Sequence, residues 1–422
     1  MQAPKKNRYY LPFILITSLF FLWGFAHNLN PILIPHLKKA CQLSDVQSAF
    51  IDSAFFIAYF VMALPAGYFM KRFGYKSGII LGLVLFAIGA FLFYPAAELR
   101  MFGFFLGALF VIASGLTFLE TAANPYVTVL GDPDTATQRL NFSQSFNGLA
   151  ATIAPLLGGI FILSGTSYTE AELAAMPAAE ATAYLDMEAS SVQVPYLLIG
   201  LVVLVVALLL WRVPLPEIAE EEGVAASADD GESIIKRRNL MLGVVAQFFY
   251  VGAQVCIASF FIRFSGSAAG VDEKTAAMLL AVALFGFMIG RFVGTFLMRF
   301  IPPARLLAIY AVLCFLLTVA AVAASGYVSI YALIGVEFFM SIMFPTIFSL
   351  SIQGLGAKTK QGSSLLIMSI VGGAVLPVVM GGVSDSYNIR VAYLVPAACF
   401  LVVLYFAYRN ITVKQREVVL AH

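Results

Sequence analysis

The sequence predicts an all-α membrane protein of twelve transmembrane helices in two six-helix pseudo-symmetric halves. Three observations carry this. The 422 residues are 61% hydrophobic and only 11% charged, against about 25% charged in an ordinary soluble domain. Apolar runs long enough to cross a hydrocarbon core, about 20 residues each, recur from end to end. Corresponding motifs also return at a nearly constant offset of 220 to 227 positions. The runs lack the short alternating pattern of barrel strands, so the spans are helical.

The spans fall at about 9–37, 46–70, 77–96, 101–130, 141–164, 194–212, 239–264, 276–299, 304–324, 327–353, 361–384 and 391–410. Lys5, Lys6 and Arg8 precede the first run. That run is too long for a signal sequence and no cleavage site follows a short apolar core, so it is read as a retained span. The first six spans form an N-terminal bundle, 1–212, and the last six a C-terminal bundle, 239–410. A charged linker, 213–238, joins them, and a tail, 411–422, follows. The linker opens with Pro214 and Pro216 and runs through Glu217, Glu220, Glu221 and Glu222 to Lys236, Arg237 and Arg238, the composition of a solvated segment.

Placing both termini in the cytoplasm puts eighteen of the 25 Lys and Arg residues inside and six outside, with Arg291 within a span. That three-to-one bias favours this orientation. The acidic stretch of Glu170, Glu172, Glu180, Asp186 and Glu188 then faces outward, with His36 at the outer interface. Cys41, Cys256, Cys314 and Cys399 are scattered and suggest neither disulfides nor a metal site. No phosphate-cradling Gly-rich loop is present, so ATP is not the expected energy source. The sequence offers no nucleophile–base constellation, and the expectations are no enzyme activity, no cofactor, no nucleic-acid partner and a monomer in a bacterial inner membrane.

The halves match in detail. Gly67-Tyr-Phe-Met-Lys-Arg72 answers Gly294-Thr-Phe-Leu-Met-Arg299, Asn124-Pro125 answers Phe344-Pro345, and Pro155 with Gly158 answers Pro377 with Gly381. Two parallel repeats with a site at their interface are a known route to alternating access.

Candidate site residues follow from cost. A charge at mid-membrane costs at least roughly 2.5–3.5 kcal/mol and is rarely kept without use. Asp52, Glu120, Arg291 and Glu337 qualify by position. Glu120 lies mid-span, and low dielectric suits a buried carboxyl to carrying a proton. Asp52 lies near the outer end of its span. Glu337 lies deeper and either pairs across helices or lines the cavity. Asn and Gln both donate and accept, as sugar hydroxyls do. They cluster at Asn28, Asn30, Asn124, Gln144, Asn147, Gln247 and Gln254. Gln144 and Asn147 share one helix face, as do Glu120 and Asn124. Gln247, Tyr250 and Gln254 form a similar stripe. Interhelical hydrogen bonding, about 0.6 kcal/mol each, is the plainer explanation, but the set together reads as a polar cavity. Trp23, Tyr250 and Phe344 are suited to stacking on an apolar sugar face, and His27 adjoins the asparagines.

Gly67-Tyr-Phe-Met-Lys-Arg-Phe-Gly-Tyr-Lys76 resembles the loop between spans 2 and 3 of the major facilitator superfamily, with departures at Lys71 and Tyr75. The stretches Phe21–Asn30, Leu119–Gly131, Ala246–Gln254, Ile289–Thr295 and Phe344–Leu350 resemble the fucose:proton symporter family of bacterial sugar transporters. The resemblance spans both halves. It implies import of a monosaccharide of the fucose, galactose or glucose type by proton symport, with sodium as the alternative ion. It places the coupling glutamate at Glu120 and a cavity arginine at Arg291. Separately, the Gly67–Arg72 and Gly294–Arg299 ends are read as inner-gate contacts, with Gly67, Lys71, Arg72 and Arg299 at the gate. The resemblance also implies an aspartate in span 1 where this chain has Asn30 or Pro31. Two readings are open: coupling through Glu120 alone, or an Asp-to-Asn replacement at position 30 that holds one conformation. A non-transporting sugar sensor is the rival of another class. The linker is too short to hold an output domain of ordinary size.

Overall fold

The computed structural model describes residues 10–43, 45–161, 168, 170–215 and 233–420. Most of the predicted linker, with its glutamates at 217–222, and the N-terminal basic residues lie outside the described residues.

Among the described residues the chain forms seventeen α-helices: α1 (Tyr10–His27), α2 (Asn30–Ala40), α3 (Asp45–Leu99), α4 (Phe102–Val129), α5 (Ala136–Phe161), α6 (Glu170–Ala175), α7 (Ala178–Ser190), α8 (Gln193–Arg212), α9 (Arg238–Ala269), α10 (Glu273–Leu297), α11 (Pro303–Ala323), α12 (Tyr327–Met340), α13 (Met343–Ile352), α14 (Thr359–Met368), α15 (Gly372–Ser386), α16 (Ile389–Ala392) and α17 (Leu394–Leu420). Helix is the form that satisfies every backbone group within its own segment, as lipid requires. Ten helices among the described residues are long and apolar enough to cross a membrane. One of them holds two crossings, because α3 breaks at Gly74, whose φ of 82° suits a residue without a side chain. The twelfth is α5, which carries Asn141, Gln144 and Asn147 among its apolar residues.

Three predicted spans are broken. Span 1 divides at Asn28–Leu29, ahead of Pro31 and Pro35. Span 10 divides at Ser341–Ile342, just ahead of Pro345. Span 11 divides around a 3-10 turn at Ser369–Val371, ahead of Pro377. In spans 1 and 10 the break sits within a few residues of a proline, which removes an N–H and clashes with the carbonyl four residues back. The acidic connection between spans 5 and 6 is also more ordered than a plain loop. It contains α6 and α7.

Within the N-terminal half, α3 packs on α4 and α8, and α1 on α5. Within the C-terminal half, α11 packs on α12 and α17, and α9 on α15 and α17. Between halves the main pairings are α5 with α10 and α3 with α14. The sequence repeat carries span 2 onto span 8 and span 5 onto span 11. One pairing is therefore the image of the other, as pseudo-two-fold symmetry requires.

The halves are joined at the end that carries Gly74. Gly67 meets α14 so closely that a Cβ there would come within 2.8 Å of the Ser364 Cβ. The Thr137 and Ser349 hydroxyls are 2.9 Å apart, Gln138 Nε2 donates to the Thr295 carbonyl at 3.1 Å, and Asn141 Nδ2 donates to Thr346 Oγ1 at 3.1 Å. Lys360 lies over the Tyr75 ring, 5.0 Å from its centre. Tyr75 is a position where the chain departs from the family pattern, and its ring receives a cation from the opposite half. At the other end, α7 is clamped onto α2. Glu188 accepts from Lys39 at 3.0 Å and from the Tyr184 hydroxyl at 2.6 Å, and lies 3.4 Å from His36.

Candidate functional site

α5 is the spine of the site. Thr137, Asn141, Gln144, Gly148 and Thr152 recur at helical spacing and face the other half. The first two close the Gly74 end. Gln144 and Gly148 meet Arg291, and Thr152 reaches Met288.

Above the closed end lies a cavity of about 180 Å³, about six water volumes. Its wall brings together Trp23 and His27 of α1, Asn28 at the break, Tyr59 of α3, Glu120 of α4, Gln144 and Asn147 of α5, Gln254 of α9, Arg291 of α10, Glu337 of α12 and Phe344 of α13. Both halves contribute, so a solute held here touches both.

Arg291 is the electrostatic centre, 4% exposed. Its Nε donates to the Ser341 carbonyl at 3.0 Å and its Nη1 to the Gln144 carbonyl at 2.6 Å. The guanidinium thus ties α5 to the break between α12 and α13. It also lies 4.6 Å from the centre of the Phe287 ring. Its neighbour Gly290 allows the approach: a Cβ there would sit 2.3 Å from the Phe338 carbonyl. The Ser341 carbonyl is available because Pro345, four residues on, has no N–H to fill it.

Glu120 accepts the Tyr59 hydroxyl at 2.6 Å. Behind it, Asn124 donates to the Glu120 carbonyl at 2.9 Å and accepts from Gln144 Nε2 at 3.1 Å. The wall amides are therefore held in place by a buried second layer.

The predicted residues separate by depth. Asn28, Glu120, Gln144, Asn147, Gln254, Arg291 and Phe344 are on the wall. Asn124 is fully buried behind it. Tyr250 is fully buried as well, its hydroxyl donating to the Met340 carbonyl at 3.1 Å. Gln247 is fully buried too, and neither of its amide atoms meets a hydrogen-bond partner. Asn30 falls at the start of α2, and its side chain, like that of Asp52, is outside the described set. Of the gate residues, Gly67 makes the close contact with α14. Lys71, Arg72 and Arg299 are exposed, and Arg72 and Arg299 lie over Phe73 and Phe296 of their own segments. Tyr59, Phe287 and the Ser341 carbonyl were not singled out from sequence. An aromatic in an apolar span carries no distinguishing signal, and a carbonyl has none at all.

Two helical bundles, a polar cavity between them and closure at one end define a membrane transporter that works by alternating access. The chain belongs to the major facilitator superfamily, whose family model matches residues 14–370. It is 43% identical over 412 residues to the L-fucose-proton symporter of Escherichia coli, covering 96% of this chain and 94% of that one. It is 42% identical over 407 residues to a glucose/galactose transporter of Brucella abortus, covering 96% and 95%. The crystal structure of the fucose symporter FucP in its outward conformation superposes with a TM-score of 0.88 at 42% identity, covering 95% of this chain and 99% of that chain.

Proposed function

We propose that the chain imports a monosaccharide of the fucose, galactose or glucose type by proton symport across a bacterial inner membrane, acting as a monomer. The observation that carries this is the cavity wall: Asn28, Gln144, Asn147 and Gln254 converge from both halves, with Glu120 and Arg291 between them. Amides that donate and accept match the hydroxyls of a sugar, which do the same. Phe344 and Trp23 offer apolar faces beside them. The names of the relatives support the same substrate class.

In this reading the Gly74 end faces the cytoplasm, together with both termini and the linker at 213–238, so its closure suits an outward-facing state. Sugar enters from outside and bridges the two halves. Glu120 takes up a proton, the loaded site becomes less charged, and the bundles rock about it. The Gly67 contact and the Thr137, Gln138 and Asn141 bonds then part. Lys71, Arg72 and Arg299 lie at the mouth that opens.

Counterflow of labelled L-fucose, D-galactose and D-glucose in proteoliposomes tests the reading. Exchange of one of them, with accumulation driven by an imposed pH gradient, is expected. Accumulation that follows sodium instead would replace the proton with sodium. Binding without exchange would point to a sensor. Proton uptake by Asn30→Asp separates the two accounts of position 30: a gain in coupling supports a lost aspartate, and no gain supports coupling without it.

A further inference from the structure

Glu337 lies in α12, 1% exposed, on the wall of the central cavity. Its Oε1 is buried and meets no hydrogen-bond donor. The groups packed around it explain this. Tyr250 of α9, Cys314 of α11 and Tyr393 just ahead of α17 are within electrostatic reach. Each donates its proton to a backbone carbonyl instead: Tyr250 to Met340 at 3.1 Å, Cys314 to Val336 at 3.6 Å, Tyr393 to Ile257 at 3.2 Å. Arg291 of α10 is directed at the Ser341 and Gln144 carbonyls.

Glu120 is in a different position. The Tyr59 hydroxyl donates to it at 2.6 Å. The cavity therefore holds two carboxyls of unlike environment and one guanidinium, with His27 adding no charge while its imidazole is neutral. With both acids ionised, the cavity carries one negative charge in excess. With one proton bound, it is neutral. Buried charge in a membrane is costly, so the neutral form is the one that rocks. Without Glu337, ionised Glu120 would already balance Arg291, and no proton would be needed.

We propose that Glu337 is a second proton-binding carboxyl of the transport site, and that its presence is what makes proton uptake obligatory. The one proton belongs to the pair of carboxyls, and uptake at either neutralises the site. A proton joins a carboxylate from one side of the membrane and leaves to the other; no other bond forms or breaks. The proposal rests on the sugar–proton reading given above.

The test compares wild type, Glu337→Gln and Glu337→Asp in proteoliposomes, with whichever of D-galactose, D-glucose and L-fucose the wild type exchanges. Glu337→Gln is expected to keep counterflow at a reduced rate. Its accumulation under a pH gradient should fall at least about tenfold, and sugar addition should no longer alkalinise the medium. Glu337→Asp should restore both. Accumulation by Glu337→Gln at the wild-type level overturns the proposal. So does loss of counterflow together with accumulation, which would place Glu337 in sugar binding or folding. A wild type that exchanges none of the three sugars overturns the sugar reading itself, and this proposal with it.

Discussion

Arg291 donates its Nε proton to the carbonyl of Ser341, and that carbonyl is unfilled because Pro345 follows it at the hydrogen-bonding distance of a helix. The proline and the arginine are thus one device, although they lie on different spans. Pro345→Ala would supply an N–H that competes for the same carbonyl. A hydrogen bond to a charged group contributes about 1.5–3 kcal/mol, so sugar affinity in Pro345→Ala should fall by about tenfold or more, measured by counterflow against sugar concentration. Arg291→Lys should fall as far, because a single ammonium cannot reproduce the two directions of the guanidinium.

Glu120→Gln keeps the shape of the carboxyl and removes its charge. Gradient-driven accumulation should be lost, while counterflow persists at a reduced rate. An unchanged accumulation ratio in this variant would remove Glu120 from the coupling mechanism.

The Thr137 and Ser349 hydroxyls, 2.9 Å apart across the closed end, are placed for a covalent lock. The double variant Thr137→Cys with Ser349→Cys should cross-link under mild oxidation, since adjoining hydroxyls put the Cβ atoms near the separation a disulfide needs. Transport should stop on oxidation and return on reduction. Cross-linking without loss of transport would show that this end does not open during the cycle.

Glu188 anchors α7 to α2 through Lys39 and His36. Glu188→Gln removes a charge-assisted bond of about 1.5–3 kcal/mol. Amide hydrogen exchange across 178–190 should accelerate, while sugar exchange continues. An unaltered exchange pattern would mean that α7 is held by its apolar face alone.

Much of this architecture was legible because lipid makes polar residues scarce. Glu120, Gln144, Asn147 and Arg291 stand out in apolar runs, and the repeated Gly67 and Gly294 segments reveal the two halves. Depth was not legible. Helical spacing says that Gln247, Tyr250 and Gln254 share a face, yet only Gln254 reaches the cavity wall, because neighbouring helices cover the other two. Glu337 could be read as either a wall residue or a buried pair, and only the packing decided that it is on the wall. The breaks in spans 1 and 10 had visible prolines beside them. Which carbonyl each break would release depends on the partner helix that comes to meet it.

The polarity of α5 also bears on how the protein is made. This helix carries Asn141, Gln144 and Asn147, the last two on the wall of the cavity. Entering hydrocarbon alone, it would expose Asn141, Gln144 and Asn147 to lipid. Its polar groups are cheaper to bury in company, with α1 supplying Ser143 with the Thr17 hydroxyl and α4 supplying Gln144 with Asn124. The order in which helices leave the ribosome suits this, since both chaperoning partners are synthesised first.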